Sequence, residues 1–521
     1  MTLDATNAVT AFAVPGPRQR GLWLAVATAA LLRLWNLGAQ SLWIDEIFTW
    51  QTASPTGPLA WLDIVSNLHS PLVSAFSHFW IRAFGESEFV LRLPMALASI
   101  ALVPVMARLA RQVAGDAAFL PAAWLTALSP YVNWYGQEYR GYIFAILFAT
   151  LALSALLRAQ ESGSRRDFAW LVGWTALGAL SNMSVVLLAP VIAAALFVVP
   201  GRGRGRWTWP LLYLGLVGLA LSPWIAYHLV QRLGWLEWNR LVPGRAVTPG
   251  EAPLRGATTF SWFGIPYTFY VFSTGYTMGP SLRDLHAGAT LRTLLPYAPG
   301  ILATALTFGP LALVGTFALG EAGEAGRARR NLLLAVILVP IALVTYFALS
   351  NFKVFNPRYV AVTMPAWFCL LAAGYATLAR PARRLAAAAV LVLFAISHFL
   401  AATGPGYAKD DFRRATRALD EWVAPQDVII AAGNFSPFEY YWRDREPVPV
   451  VYWAGYARDE RMAPKFLPLV NPAGPTWLVL SRTDELDPQG RFETWVQRTW
   501  GLPVAVLPGV RIYRLEAPTH P

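Results

Sequence analysis

Long apolar stretches dominate the chain, and polar residues are confined to the intervals between them. A helix needs about 20 mostly apolar residues to cross a bilayer. By that measure spans are expected near 21–38, 91–112, 116–134, 141–159, 168–182, 184–200, 208–230, 296–319, 331–350, 358–379 and 385–401, eleven in all. Arginines gather in alternate connections, at Arg18/Arg20, Arg108/Arg111, Arg158/Arg165/Arg166, Arg202/Arg204/Arg206, Arg327/Arg329/Arg330 and Arg380/Arg383/Arg384. Short loops held on the cytoplasmic side carry such an excess, so the N-terminus is expected in the cytoplasm. The segment PLVSAFSHFWIRAFG (71–85) tests the scheme. It is only about 15 residues, short for a crossing, and counting it as a span would put the Arg108/Arg111 loop outside. It is expected to lie along the interface as an amphipathic helix, leaving 39–90 as one extracytoplasmic loop. A second long outer loop, 231–295, is aromatic and is expected to hold further interfacial helices.

Beyond residue 401 the pattern changes. KDDFRRATRALDEWV has helical spacing, and DVIIAA, PVPVVYW, TWLVLS and RIYRL are short β-rich runs among Pro and Gly. The expected architecture is therefore a polytopic α-helical membrane protein, residues 1–401, followed by a small α/β domain, 402–521, on the outer (periplasmic) side.

Composition agrees. Of 521 residues 56% are hydrophobic and only 14% charged, too few charges for a soluble chain of this size. The net charge of +12 follows from the arginine-rich loops and implies membrane lipids, not nucleic acid, as the surroundings. The single cysteine, Cys369, lies in an apolar run and rules out an internal disulfide. The first apolar run is long for a signal-peptide core and has no small-residue cleavage site, so it is expected to remain as a span.

Chemistry is concentrated in the expected outer loops. In SLWIDEIFTW (41–50), Asp45 and Glu46 stand among interfacial Trp, Ile and Phe. They read either as helix-starting acids or as a general base with a neighbour that orients an acceptor. Arg92, Arg140 and Arg358 fall on the side where topology does not ask for arginine. Guanidinium suits phosphate, although snorkelling to the headgroups accounts for any one of them alone. Tyr359 stands beside Arg358 in NPRYV, Gln137 and Glu138 share the turn of Arg140, and Lys353 adds an outer cation. His69, in LHSP, reads as a structural hydrogen-bonder or an acid/base group. The histidines lack metal-ligand spacing, so no metal set is assigned and no cofactor is implied; a divalent metal stays open. Neither a Gly-rich phosphate loop nor a G-x-S-x-G elbow is present.

The ordered set LWIDE, HSPL, GESEFVLRLP, SPYVNWYGQEYRGY and NPRYV resembles the GT-C glycosyltransferases, and within them the bacterial family 39 branch related to protein O-mannosyltransferases and the aminoarabinose transferase of lipid A. The resemblance is firm over 21–160, weaker through the middle spans, and returns at 351–380. It implies a polyprenyl-phosphate-linked sugar donor and inverting transfer to an envelope glycan, lipid or protein at the periplasmic face of the bacterial inner membrane. Carried onto this chain, Asp45 matches the catalytic base, with Glu46 beside it. His69, Arg92, Gln137 and Arg140 match family positions, and with Glu138, Arg358, Tyr359 and Lys353 they are expected to bind the lipid phosphate and sugar. Ser70 departs from the family's His-Pro-Pro-like segment, and Glu138 stands where several relatives carry aspartate. The competing reading is a transporter or flippase of lipid-linked sugars, which would use similar outer arginines but usually shows inverted repeats; none is evident.

Overall fold

The structure, a computed structural model, describes residues 16–56, 71–198, 207–232, 260–281, 290–350, 354–433, 435–445, 448–453, 465–481 and 490–516, with single positions 64, 285, 483 and 487. His69, Lys353 and most of the 231–260 stretch lie outside the described residues.

A helix stands at every expected span. In chain order they are α1 (Pro17–Leu34), α4 (Glu88–Ala114), α5 (Phe119–Leu128), α7 (Tyr142–Ser162), α8 (Arg165–Ser181), α9 (Ala189–Val198), α10 (Thr208–Arg232), α12 (Ala298–Glu321), α13 (Gly323–Leu349), α14 (Met364–Thr377) and α15 (Arg380–Thr403). Among the described residues seven helical stretches are long and apolar enough to cross a membrane, and Asp116–Leu128 and Met183–Phe197 are apolar but shorter. The protein is a multi-pass membrane protein. The boundaries have sequence causes. Asn356 accepts a hydrogen bond from the Arg358 N–H at 3.0 Å and Pro357 follows it, so a 3-10 turn (Pro357–Thr363) opens into α14. Ser129 and Pro130 start α6 (Pro130–Gly136) in the same way.

Two close helix approaches rest on glycine. A Cβ on Gly374 would collide with the Leu311 carbonyl and one on Gly315 with the Leu370 carbonyl, so α12 and α14 touch backbone to backbone. A Cβ on Gly141 would run into the Ser181 carbonyl, which packs the 137–141 turn against the end of α8.

The connections after α1 are helical too. α2 (Ile44–Ala53) and α3 (Pro71–Phe84) form a pair; α3 buries Val73, Ser74, Ser77 and His78 and leaves Phe76, Phe79 and Phe84 exposed, the two-faced pattern expected of 71–85. α11 (Gly264–Thr274) stands in the second long loop. Tyr267, Tyr270, Val271 and Phe272 are buried against the bundle, because its aromatic residues are numerous enough to fill a core on more than one face.

After α15 comes a separate sheet with its own cores. β1 (Val428–Ala432), β2 (Val450–Trp453) and β3 (Thr476–Ser481) run parallel, and β4 (Ala505–Leu507) and β5 (Val510–Leu515) antiparallel, in the order β2-β1-β3-β5-β4. Alternate residues face opposite sides. Ile429, Ala431, Trp477 and Val479 pack on α16 (Phe412–Trp422) and α17 (Phe435–Trp442), while Ile430, Ala432, Leu478 and Leu480 pack on α18 (Arg491–Trp500). The four β-rich runs are strands; β4, α17 and α18 were not expected, being short segments without long periodicity.

Candidate active site

The site is built around the first turn of α2. Successive helical residues point about 100° apart, so the adjacent acids of the IDE tripeptide face different surroundings.

Glu46 turns inward and is fully buried. Its carboxylate accepts Arg92 Nε at 2.8 Å, Arg92 Nη2 at 2.7 Å, the Tyr139 N–H at 2.8 Å and Lys409 Nζ at 2.9 Å. It also reaches back to the Trp43 N–H at 3.3 Å, as a helix-capping acid does. Burial alone would raise its pKa, but Arg92 and Lys409 overcome that and hold it at about 2. The remaining Arg92 donors go to the carbonyls of Leu37 (3.1 Å), Gln40 (2.8 Å) and Ser41 (2.9 Å). With all its N–H groups on protein acceptors, Arg92 has none left for a lipid phosphate. Arg92 and Glu46, expected in substrate binding and in catalysis, form a buried ion pair that fixes α2 to α4.

Asp45 is less deeply buried, its side chain 13% exposed. Arg358 Nη1 meets Asp45 Oδ2 at 2.7 Å, and Arg140 Nη1 donates to the Asp45 carbonyl and to Thr49 Oγ1, both at 2.9 Å. The two guanidiniums share the ring of Tyr142, at 5.8 and 6.0 Å from its centroid, and Arg358 also lies 5.4 Å from that of Tyr359. Two arginines from distant parts of the chain thus meet at one residue, Arg358 on its carboxylate and Arg140 on its backbone carbonyl. Arg358 Nε has no partner among the described residues, so Arg358, unlike Arg92, keeps donor capacity.

Glu138 is buried between these two groups. Burial pushes its carboxyl up to about 7; Lys409 and Arg358 pull down while Glu46 and Asp45 push further up. It titrates near neutrality within reach of the Asp45 charge. In the same turn, Gln137 Nε2 donates to the carbonyls of Leu32 (3.2 Å), Arg33 (3.1 Å) and Trp35 (2.8 Å), closing the end of α1.

Two residues that the sequence did not single out complete the picture. Lys409 comes from the link between α15 and α16; being the first lysine beyond the last span was the only signal. Arg33, buried within α1, donates to Ser99 Oγ at 3.2 Å and to the carbonyls of Thr126 (2.8 Å) and Ala127, and so joins α1 to α4 and α5. Beside Arg92 and Lys409 opens a cavity of about 500 Å³ whose other walls include Trp134, Gln137, Tyr276 and His398. Among the described residues no group of three or more His, Cys, Asp or Glu side chains is placed to hold a metal ion.

This helical bundle, with a helical first loop and an appended sheet, is the GT-C fold of membrane glycosyltransferases. A family model described as dolichyl-phosphate-mannose-protein mannosyltransferase matches residues 68–227. Within that fold the chain is similar to ArnT from Cupriavidus metallidurans in the apo state, at 13% identity and TM-score 0.56 over 95% of this chain and 97% of that one. The same protein bound to undecaprenyl phosphate aligns at 15% identity and TM-score 0.44 over 95% and 97%. The Archaeoglobus fulgidus oligosaccharyltransferase in complex with Zn and sulfate aligns at 14% identity and TM-score 0.48 over 95% and 73%. No curated protein matches.

Proposed function

We propose that the protein is an inverting glycosyltransferase that moves a sugar from a polyprenyl-phosphate donor to a cell-envelope acceptor at the periplasmic face of the bacterial inner membrane. The observation that carries this reading is the meeting of Asp45 with Arg358 and Arg140 beside Tyr142. In the reaction an acceptor hydroxyl oxygen bonds to the anomeric carbon, its proton passes to Asp45, and the anomeric carbon–oxygen bond to phosphate breaks with its electron pair leaving on the lipid phosphate. Arg358 and Arg140 stabilise that growing charge. A phosphate leaving group needs little protonation, so a single carboxylate with cationic partners is enough. A retaining enzyme would need a second carboxyl about 5 Å across the bond. His69 and Lys353 remain candidates for the sugar and the phosphate.

Purified protein in lipid nanodiscs, given radiolabelled polyprenyl-phosphate sugar and an envelope extract, is expected to release lipid phosphate and label the extract. Asp45→Asn is expected to bind polyprenyl phosphate while transfer falls by about 10³-fold or more. Undiminished turnover in that variant removes the base. Movement of intact donor across a vesicle membrane without cleavage would instead identify a flippase.

A further inference from the structure

The segment that leads into α2 is held from two sides. From the bundle, Arg92 binds the carbonyls of Leu37, Gln40 and Ser41. From beyond the last membrane helix, the Lys409 N–H donates to Gln40 Oε1 at 3.2 Å, Arg413 donates to the carbonyls of Gly38 (3.1 Å) and Ala39, and Ser41 Oγ donates to Asp411 at 3.0 Å. The Lys409 side chain then passes this segment and ends 2.9 Å from Glu46, one residue from Asp45. Its ammonium is mostly buried, an expensive place for a flexible, strongly hydrated cation unless it is held by an anion.

We propose that Lys409 is a positioning residue through which the C-terminal sheet domain completes the active site. It acts through Glu46, fixing the first turn of α2 and with it the direction of Asp45. The inference rests on the proposed transfer reaction for its kinetic consequence, but not for its structural one. Arg92 by itself can hold Glu46 to the bundle; among the described residues only Lys409 ties that carboxylate to residues that follow α15, so the domain and the reacting acid move as one body.

Two measurements test this, one of them without substrate. With saturating acceptor, Lys409→Met is expected to lower kcat roughly 10- to 100-fold, the effect of a small misplacement of a reacting group. The KM for the polyprenyl-phosphate sugar is expected to stay within about threefold, and Lys409→Arg to recover most of the rate. Arg413→Ala, which weakens docking without touching Glu46, serves as the control and is expected to lower the melting temperature with kcat little changed. Equal kcat losses in Lys409→Met and Arg413→Ala would reduce Lys409 to a docking contact and overturn the proposal.

The substrate-free arm uses Asp45→Cys with a water-soluble maleimide; the natural cysteine, Cys369, is buried. Adding Lys409→Met is expected to raise the labelling rate at position 45 several-fold, whereas an unchanged rate overturns the positioning claim. Absence of sugar transfer by the unaltered protein would defeat the proposed reaction and leave this labelling result standing.

Discussion

Neighbouring acids of the same charge at the start of one helix have opposite surroundings, and that division was not legible in the sequence. The residue types of Asp45, Arg140 and Arg358, at the expected end of the bundle, were enough to suggest a phosphate-handling carboxylate site. Nothing in spacing alone told that Glu46 and Arg92 would satisfy each other, because their partners are 46 residues apart and meet only in the fold. The same holds for Gln137, whose amide finds the end of α1. Glu46→Gln leaves Arg92 and Lys409 without their counter-charge, and removing one member of a buried pair costs about 3–5 kcal/mol. The expected outcome is a large drop in melting temperature by scanning fluorimetry, accompanied by loss of transfer. Glu138 has the opposite sign. Its folded pKa of about 7 lies above the ordinary carboxyl value near 4.5, so folding takes up a proton between those values. Stability therefore falls as pH rises from about 4.5 to 7 and is flat beyond. Glu138→Gln is expected to remove that decline and to gain up to about 3 kcal/mol at pH 8, read from melting temperatures at pH 5 and pH 8.

At the scale of elements, hydrophobic length foretold where helices stand, because a span must be apolar along its whole length. They did not foretell which helices would approach closely. The α12–α14 contact depends on two glycines 59 positions apart, Gly315 and Gly374, each unremarkable in an apolar run. Gly374→Val forces the pair to separate, and overpacking of this kind costs about 1–3 kcal/mol or more. Because α14 continues directly from the turn that carries Arg358, the expected signature is a lowered melting temperature together with weakened polyprenyl-phosphate binding. Unchanged lipid binding would mean that the turn holds its place without the helix behind it.

At the scale of the whole molecule, the appended domain lies against the first loop through Tyr441, which receives the Leu42 N–H at 2.7 Å and donates to Glu88 at 2.9 Å, and through Arg443, paired with Glu86 at 2.6 Å and lying 4.9 Å from the Trp50 ring. The sequence foretold a domain after the last span but not that it would touch the acids 360 residues earlier, since contacts between distant segments leave no local pattern. The proposed orientation puts this domain in the periplasm. A cysteine at Leu502, which is 80% exposed, is expected to react with a membrane-impermeant maleimide in intact spheroplasts; protection until lysis would invert the topology.

The Asp45–Arg358 contact has a kinetic corollary. In the resting protein the base is engaged by a cation, and only a competing anion frees it, so the proposed reaction has a compulsory sequence of addition: donor before acceptor. An acceptor that arrives first meets a carboxylate whose charge Arg358 already holds, and the acid is released for proton transfer as the lipid phosphate draws that guanidinium away.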